Sequence, residues 1–169
     1  MVGCGIMAEI VVREAVEAAD LGFVRELMRA YGVYLGNNPT GAANICLEGF
    51  ERELEGLPAP YVALLVAFVD GVAAGCVALK EIRAEERACE MKRLWVGNGF
   101  RGLRLGKRLV VEAIGWAREK GYGAMYLDKV PAAMPEANRL YEAMGFVRVE
   151  RYNDNPVADV VFFRLGLGA

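Results

Sequence analysis

The 169-residue sequence contains no serine, no glutamine and no histidine. Without serine and histidine, a Ser-His-Asp triad is impossible, and any general base must come from Asp, Glu, Tyr, Lys, Cys or water. The four cysteines, Cys4, Cys46, Cys76 and Cys89, form no C-x-x-C pair, so the usual zinc-ligand spacings are absent as well and no metal is expected. They read as small buried hydrophobes in the reduced state. The longest apolar stretch, Ala59 to Val69, stops at Asp70 and falls short of the roughly 20 residues a membrane helix needs. Met1 to Ile6 lacks the basic flank and length of a secretory signal, so a cytoplasmic location is expected, with Met7 an alternative start. A formal net charge of −2 offers no general field for a phosphate polymer or an anionic membrane. Nucleic acid and membrane are therefore not expected partners.

Slightly over half of the residues are apolar (55%) and a quarter (25%) are charged, which suits one α/β domain spanning residues 1–169. Glu9 to Arg13 reads as a strand, and Ala15 to Leu35 carries apolar residues at helical spacing. A second helical pattern runs from Ile45 to Leu57, ended by Pro58 and Pro60. Tyr61 to Val69 and Val72 to Lys80 are apolar runs joined by Asp70-Gly71, the pair that favours a type I′ hairpin. Ala88 to Val96 reads as a further strand, Gly106 to Lys120 as a helix and Ala124 to Val130 as a buried strand, which makes those two strands parallel through a right-handed crossover. Pro135 to Met144 reads as a short helix, and Phe146 to Tyr152 and Val157 to Leu167 as two last strands about the Asn153 to Pro156 turn.

The chemistry concentrates between Val96 and the following helix, in Gly97-Asn98-Gly99-Phe100-Arg101-Gly102-Leu103-Arg104-Leu105-Gly106. A glycine-bearing loop that opens a helix presents free backbone N–H groups at the positive end of the helix dipole, an anion site suited to a pyrophosphate. Arg101, Arg104, Lys107 and Arg108 gather positive charge there in an otherwise acidic chain. As a plain solvated face they would oppose the dipole by about 0.3–1 kcal/mol each. Neither the G-x-x-x-x-G-K-[ST] spacing nor a G-x-G-x-x-G at a first strand-to-helix turn is present, so nucleoside triphosphates and dinucleotides are disfavoured.

Arg101 to Gly106 resembles the cofactor motif of the GNAT superfamily of N-acetyltransferases: Arg or Gln, two residues, Gly, one residue, then Gly or Ala. Arg104 stands where the family usually has its first Gly, and Asn98 where Pro is common. Downstream, Ala137-Asn138-Arg139-Leu140-Tyr141-Glu142-Ala143-Met144-Gly145-Phe146 is similar to the family's second motif, a helix with Leu-Tyr that ends in Gly-Phe. The resemblance covers roughly Ala88 to Phe146. It implies a mixed, mostly antiparallel α/β (α+β) sheet of about seven strands flanked by about four helices, with acetyl-CoA as co-substrate and an amine-bearing acceptor. Homodimerisation is a family-level expectation.

The resemblance also implies site residues. The cofactor would be held by Leu94 at the thioester carbonyl, Val96 at the pantetheine arm, and Arg101, Gly102, Leu103, Arg104, Leu105, Gly106 and Lys107 at the pyrophosphate. The family's further asparagine position is Met134 here. Asn138, one turn later, either takes over that contact or is an ordinary solvated helix residue. Tyr141 matches the acid that protonates the leaving thiolate, and Glu90 matches the base position of some members. Strand alternation would place Glu90 on the face of Leu94 and Val96, while pairing with Lys92 or Arg93 is the plainer alternative. Those two cations either recognise an acceptor carboxylate or are solvated or paired at the surface. Acceptor choice would be set by the first two helices, Gly36 to Gly41 and the Asn153 to Pro156 turn. Two readings stay open here: a catalytic N-acetyltransferase, or an acyl-CoA-binding module without turnover.

Overall fold

Alternation and turn chemistry decide the first half of the chain. In the computed structural model, which describes residues 5–37, 49–83, 86–130 and 135–168, Asp70 (φ 47°) and Gly71 (φ 81°) both take the positive φ of a type I′ turn. They join β2 (Ala63–Val69) to β3 (Val72–Arg83), and β1 (Ile10–Glu14) pairs antiparallel along β2. All seven residues of β2 are buried, because both of its faces are covered. Ala63, Leu65, Ala67 and Val69 face one core; Leu64, Val66 and Phe68 face another.

The second core is built by α1 (Ala18–Asn37) and α2 (Phe50–Gly56), through Val24, Leu27, Met28, Phe50 and Leu54. The earlier part of the expected second helix, residues 45–48, lies outside the described residues. The first core is closed by α3 (Leu105–Glu119), whose Leu105, Leu109, Val110, Ala113, Ile114 and Ala117 recur at helical spacing and are buried. Each large aliphatic among them contributes about 1.5–3 kcal/mol on burial. Gly75 lets α3 approach closely: a Cβ there would lie 2.8 Å from the Trp95 carbonyl oxygen and 3.0 Å from Leu109 Cδ1.

β4 (Ala88–Val96) pairs antiparallel with β3, and β5 (Ala124–Lys129) runs parallel to β4 after the α3 crossover, as the strand–helix–strand order requires. α4 (Pro135–Ala143) leads to β6 (Val147–Val149) and β7 (Val161–Gly166), giving a seven-stranded sheet in the order β1-β2-β3-β4-β5-β7-β6. This is the mixed, mostly antiparallel architecture expected, with four α-helices among the described residues. The last two strands are shorter than their β-branched content suggests. Between them, Asn153 and Asn155 accept the N–H groups of Asn155 (3.1 Å) and Val157 (3.0 Å) on their own side chains, so local side-chain bonds displace the ladder.

Candidate active site

Two departures from regularity create the site. β4 and β5 are paired over only three positions, Ala88↔Ala124, Cys89↔Met125 and Glu90↔Tyr126, and then part. Just beyond the parting, β4 carries a bulge. Cys76 is opposite Trp95 but Ala78 is opposite Lys92, so two steps on β3 match three on β4, and Arg93 takes φ 59°. The bulge reverses the alternation, which corrects the expected placement of Glu90. Glu90, Lys92 and Trp95 lie on the α1 face, with their partners Lys80, Ala78 and Cys76, whereas Leu94 and Val96 pack against the α3 core. Glu90 therefore does not share a face with Leu94 and Val96.

The parted strands open two clefts that meet at Leu94 and Ala137. The first, about 310 Å³, is lined by Leu94, Val96, Arg101, Gly102, Arg104, Leu105 and Gly106, together with Tyr34, Trp95, Phe100, Ala137 and Leu140. Leu103 and Lys107 are not among its lining residues. Arg104, the N-cap of α3, makes no side-chain cap and holds the left-handed conformation at φ 58°. For a residue with a Cβ this costs roughly 1–2 kcal/mol. The first intrahelical bond after it is Arg108 N–H to the Arg104 carbonyl (3.1 Å), which leaves the N–H groups of Leu105, Gly106 and Lys107 without an i−4 carbonyl. A Cβ on Gly106 would touch only Leu140, at 3.9 Å, so the helix start faces open space. Arg101 lies 5.6 Å from the Tyr34 ring, which ties α1 to the loop.

On α4, the Asn138 side-chain oxygen is buried and has no hydrogen-bond partner among the described residues. A solvated surface asparagine would not be so placed, and a buried orphan acceptor fits a group supplied from outside the chain. Asn138 does not itself line either cleft, although its neighbour Ala137 lines both.

The second cleft, about 420 Å³, passes through the sheet where the strands part: Tyr31 and Leu35 of α1 line one side, Ala137 and Tyr141 of α4 the other. Glu90 is 4% exposed and accepts from the Tyr152 hydroxyl (2.8 Å) and Asn153 Nδ2 (3.3 Å), with Lys92 Nζ at 3.8 Å. The same Asn153 amide donates to Asp128 (2.8 Å), which also accepts from Asn155 Nδ2 (3.1 Å). Glu90 and Asp128 thus form a pair bridged by one amide. Burial pushes the Tyr152 and Tyr141 phenols up, so both are protonated at neutral pH. Tyr141 is 7% exposed, packs on Phe146 and Phe163, and has Lys129 Nζ 5.8 Å from its ring centre. Lys129 is half-buried, and desolvation brings its ammonium down to about 8. Arg93 is committed elsewhere: its guanidinium binds both Glu53 oxygens (3.1 and 2.8 Å), and the Tyr61 hydroxyl also bonds Glu53.

Asp128 and Tyr152 were not among the sequence candidates. A signal for Asp128 existed, since it lies near the end of a buried strand, at the carboxyl end of a parallel pair, where ligands of such sheets bind. Tyr152 was hidden inside a run that reads as a strand. Among the described residues no cluster of metal-ligating side chains is present, and no helix is long and apolar enough to cross a membrane.

Known proteins share this arrangement of elements. An uncharacterised N-acetyltransferase of Schizosaccharomyces pombe is 43% identical over 107 residues, a match spanning 63% of this chain and 64%, under two thirds, of the relative. A putative acetyltransferase of Salmonella typhimurium, solved with acetyl-CoA, superposes with a TM-score of 0.69 over 95% of each chain at 19% identity. An N-acetyltransferase of Thermoplasma acidophilum, solved with coenzyme A, gives a TM-score of 0.71 over 94% of this chain and 99% of that one at 18% identity. At those identities the structural likeness speaks for the fold alone. The sequence match to the Acetyltransferase (GNAT) family goes further, because residues 25–146 run from α1 through the bulged strand and the helix-opening loop to the end of the Leu-Tyr helix, and on it the chain belongs to that family.

Proposed function

We propose that the chain binds acetyl-CoA and transfers its acetyl group to an amine in a ternary complex, the 169 residues working as one unit. The observation that carries this reading is the meeting of the two clefts at Leu94. One cleft ends at the free N–H groups of α3, the other at a carboxylate pair, Glu90 buried and Asp128 half-buried, and a protonated tyrosine. Arg101, Arg104 and the α3 N-terminus suit a pyrophosphate; the orphan Asn138 oxygen suits a donor on the cofactor arm. The Salmonella and Thermoplasma proteins, solved with acetyl-CoA and coenzyme A, support this choice of ligand.

In the proposed reaction the amine nitrogen attacks the thioester carbonyl, whose developing oxyanion is met by the Leu94 N–H. The new C–N bond forms, the C–S bond breaks, and the thiolate takes the Tyr141 hydroxyl proton. The proton lost by the amine goes to Glu90, directly or through water. Isothermal titration with acetyl-CoA, repeated on Gly106→Glu, tests the cofactor site. Binding by the parent and its loss in the variant, where a carboxylate would enter the anion site, is expected. An unbound parent would end this reading. Release of CoA thiol in the presence of amines separates an enzyme from a binding module.

A further inference from the structure

The second cleft has two poles of opposite charge, and among the described residues each keeps one charge without an ion-pair partner, Asp128 at one and Lys80 at the other. At one pole Asp128 is held by two neutral amides, Asn153 and Asn155, with no cationic side chain within ion-pair distance among the described residues. At the other, Lys80 lines the cleft opposite Glu90 in the β3–β4 register but makes no ion pair or hydrogen bond among the described residues. Lys92, 28% exposed, stands 3.8 Å from Glu90, a long contact that leaves its ammonium room for a second anion. Arg93 cannot contribute, being closed onto Glu53.

A simple alkylamine or a polyamine would satisfy Asp128 but bring only positive charge toward two half-buried ammonium groups of which Glu90 offsets one, a like-charge juxtaposition that disfavours binding. An amine carrying an anion on the same small skeleton matches both poles. A cleft of about 420 Å³ suits a molecule of that size beside the acetyl group. We infer that the acceptor is a small amino acid, its amino group at Asp128 and its carboxylate at Lys80 and Lys92. This rests on the acetyl-transfer reading above.

Calorimetric titration of the CoA-saturated protein with the standard amino acids, and with the decarboxylated amine matching each one that binds, tests the inference without requiring turnover. The carboxylate should tighten binding by about tenfold to a hundredfold, the effect of one charge-assisted hydrogen bond. Lys80→Met should erase most of that ratio, and Lys80→Arg should restore it. Equal binding of the decarboxylated amines, or no amino acid binding at all, would overturn the inference. Transfer to putrescine or to a lysine-containing peptide would then leave acetyl transfer standing. Failure to bind acetyl-CoA in the first place would instead remove the parent reading and this one with it.

Discussion

At the scale of single residues, Tyr141 and Glu90 divide the proton transfers in the proposed reaction, and their environments make the division testable. Tyr141 is buried against Phe146 and Phe163, and its hydroxyl stays protonated across the neutral range. Tyr141→Phe is expected to lower kcat by about 10²–10⁴-fold, the usual worth of a positioned acid, while acetyl-CoA affinity holds. Glu90→Gln is expected to cost most at low pH, where the amine is protonated, and progressively less as free amine accumulates. A pH–rate profile of the two variants separates the roles; a Glu90→Gln deficit that is flat with pH would return Glu90 to a structural partner of Tyr152. Tyr141 was legible because its motif is local and helical. Glu90 was legible as a residue but not as a direction: its face depended on a bulge three residues later, and an αL arginine in mid-strand leaves no mark in a pattern of apolar and polar letters. Asn138 was ambiguous because a helix position does not reveal whether its amide oxygen ends in water or in protein.

At the scale of elements, the start of α1 shows how a long helix is pinned to the sheet. Asp20 sits in the first turn, where a carboxylate complements the helix dipole, and receives two hydrogen bonds from Arg13 of β1 (2.8 and 2.9 Å). The hydrogen bonds from Arg13 hold the Asp20 carboxyl below its ordinary value of 3.8. A depressed carboxylate contributes stability that is complete above the unfolded value and is lost as pH falls through the folded one. Asp20→Asn should therefore lower Tm at neutral pH, and the gap from the parent should close below about pH 3.8 in thermal melts. The hairpin, α3 and the parallel pair were legible because turn residues and periodicity act locally. The ends of β6 and β7 were not, since Asn153 and Asn155 spend their side chains on backbone and on Asp128, a strand away.

At the scale of the whole molecule, the first cleft draws on β4, the loop, α3, α4 and, through Tyr34, α1. A ligand bound there ties both cores together and should stabilise the native state by mass action. At a hundred times its Kd, acetyl-CoA should add about 2.7 kcal/mol. For a chain of this size that is a rise in Tm of roughly 5–10 °C. Differential scanning fluorimetry reads this directly, and Gly106→Glu should show little of it.

The extra residue in β4 has a consequence for how the two reactants arrive. Because the alternation reverses at Arg93, the strand turns Glu90 and Lys92 to one side of the sheet and Leu94 and Val96 to the other. In the proposed reaction the sheet would thus act as a partition with a slit, Glu90 and Lys92 reaching the gap from one side and Leu94 from the other. Removing Arg93 by deletion would restore a regular strand with each of these side chains still on its present side, and would shed the local kink and the Arg93–Glu53 ion pair instead.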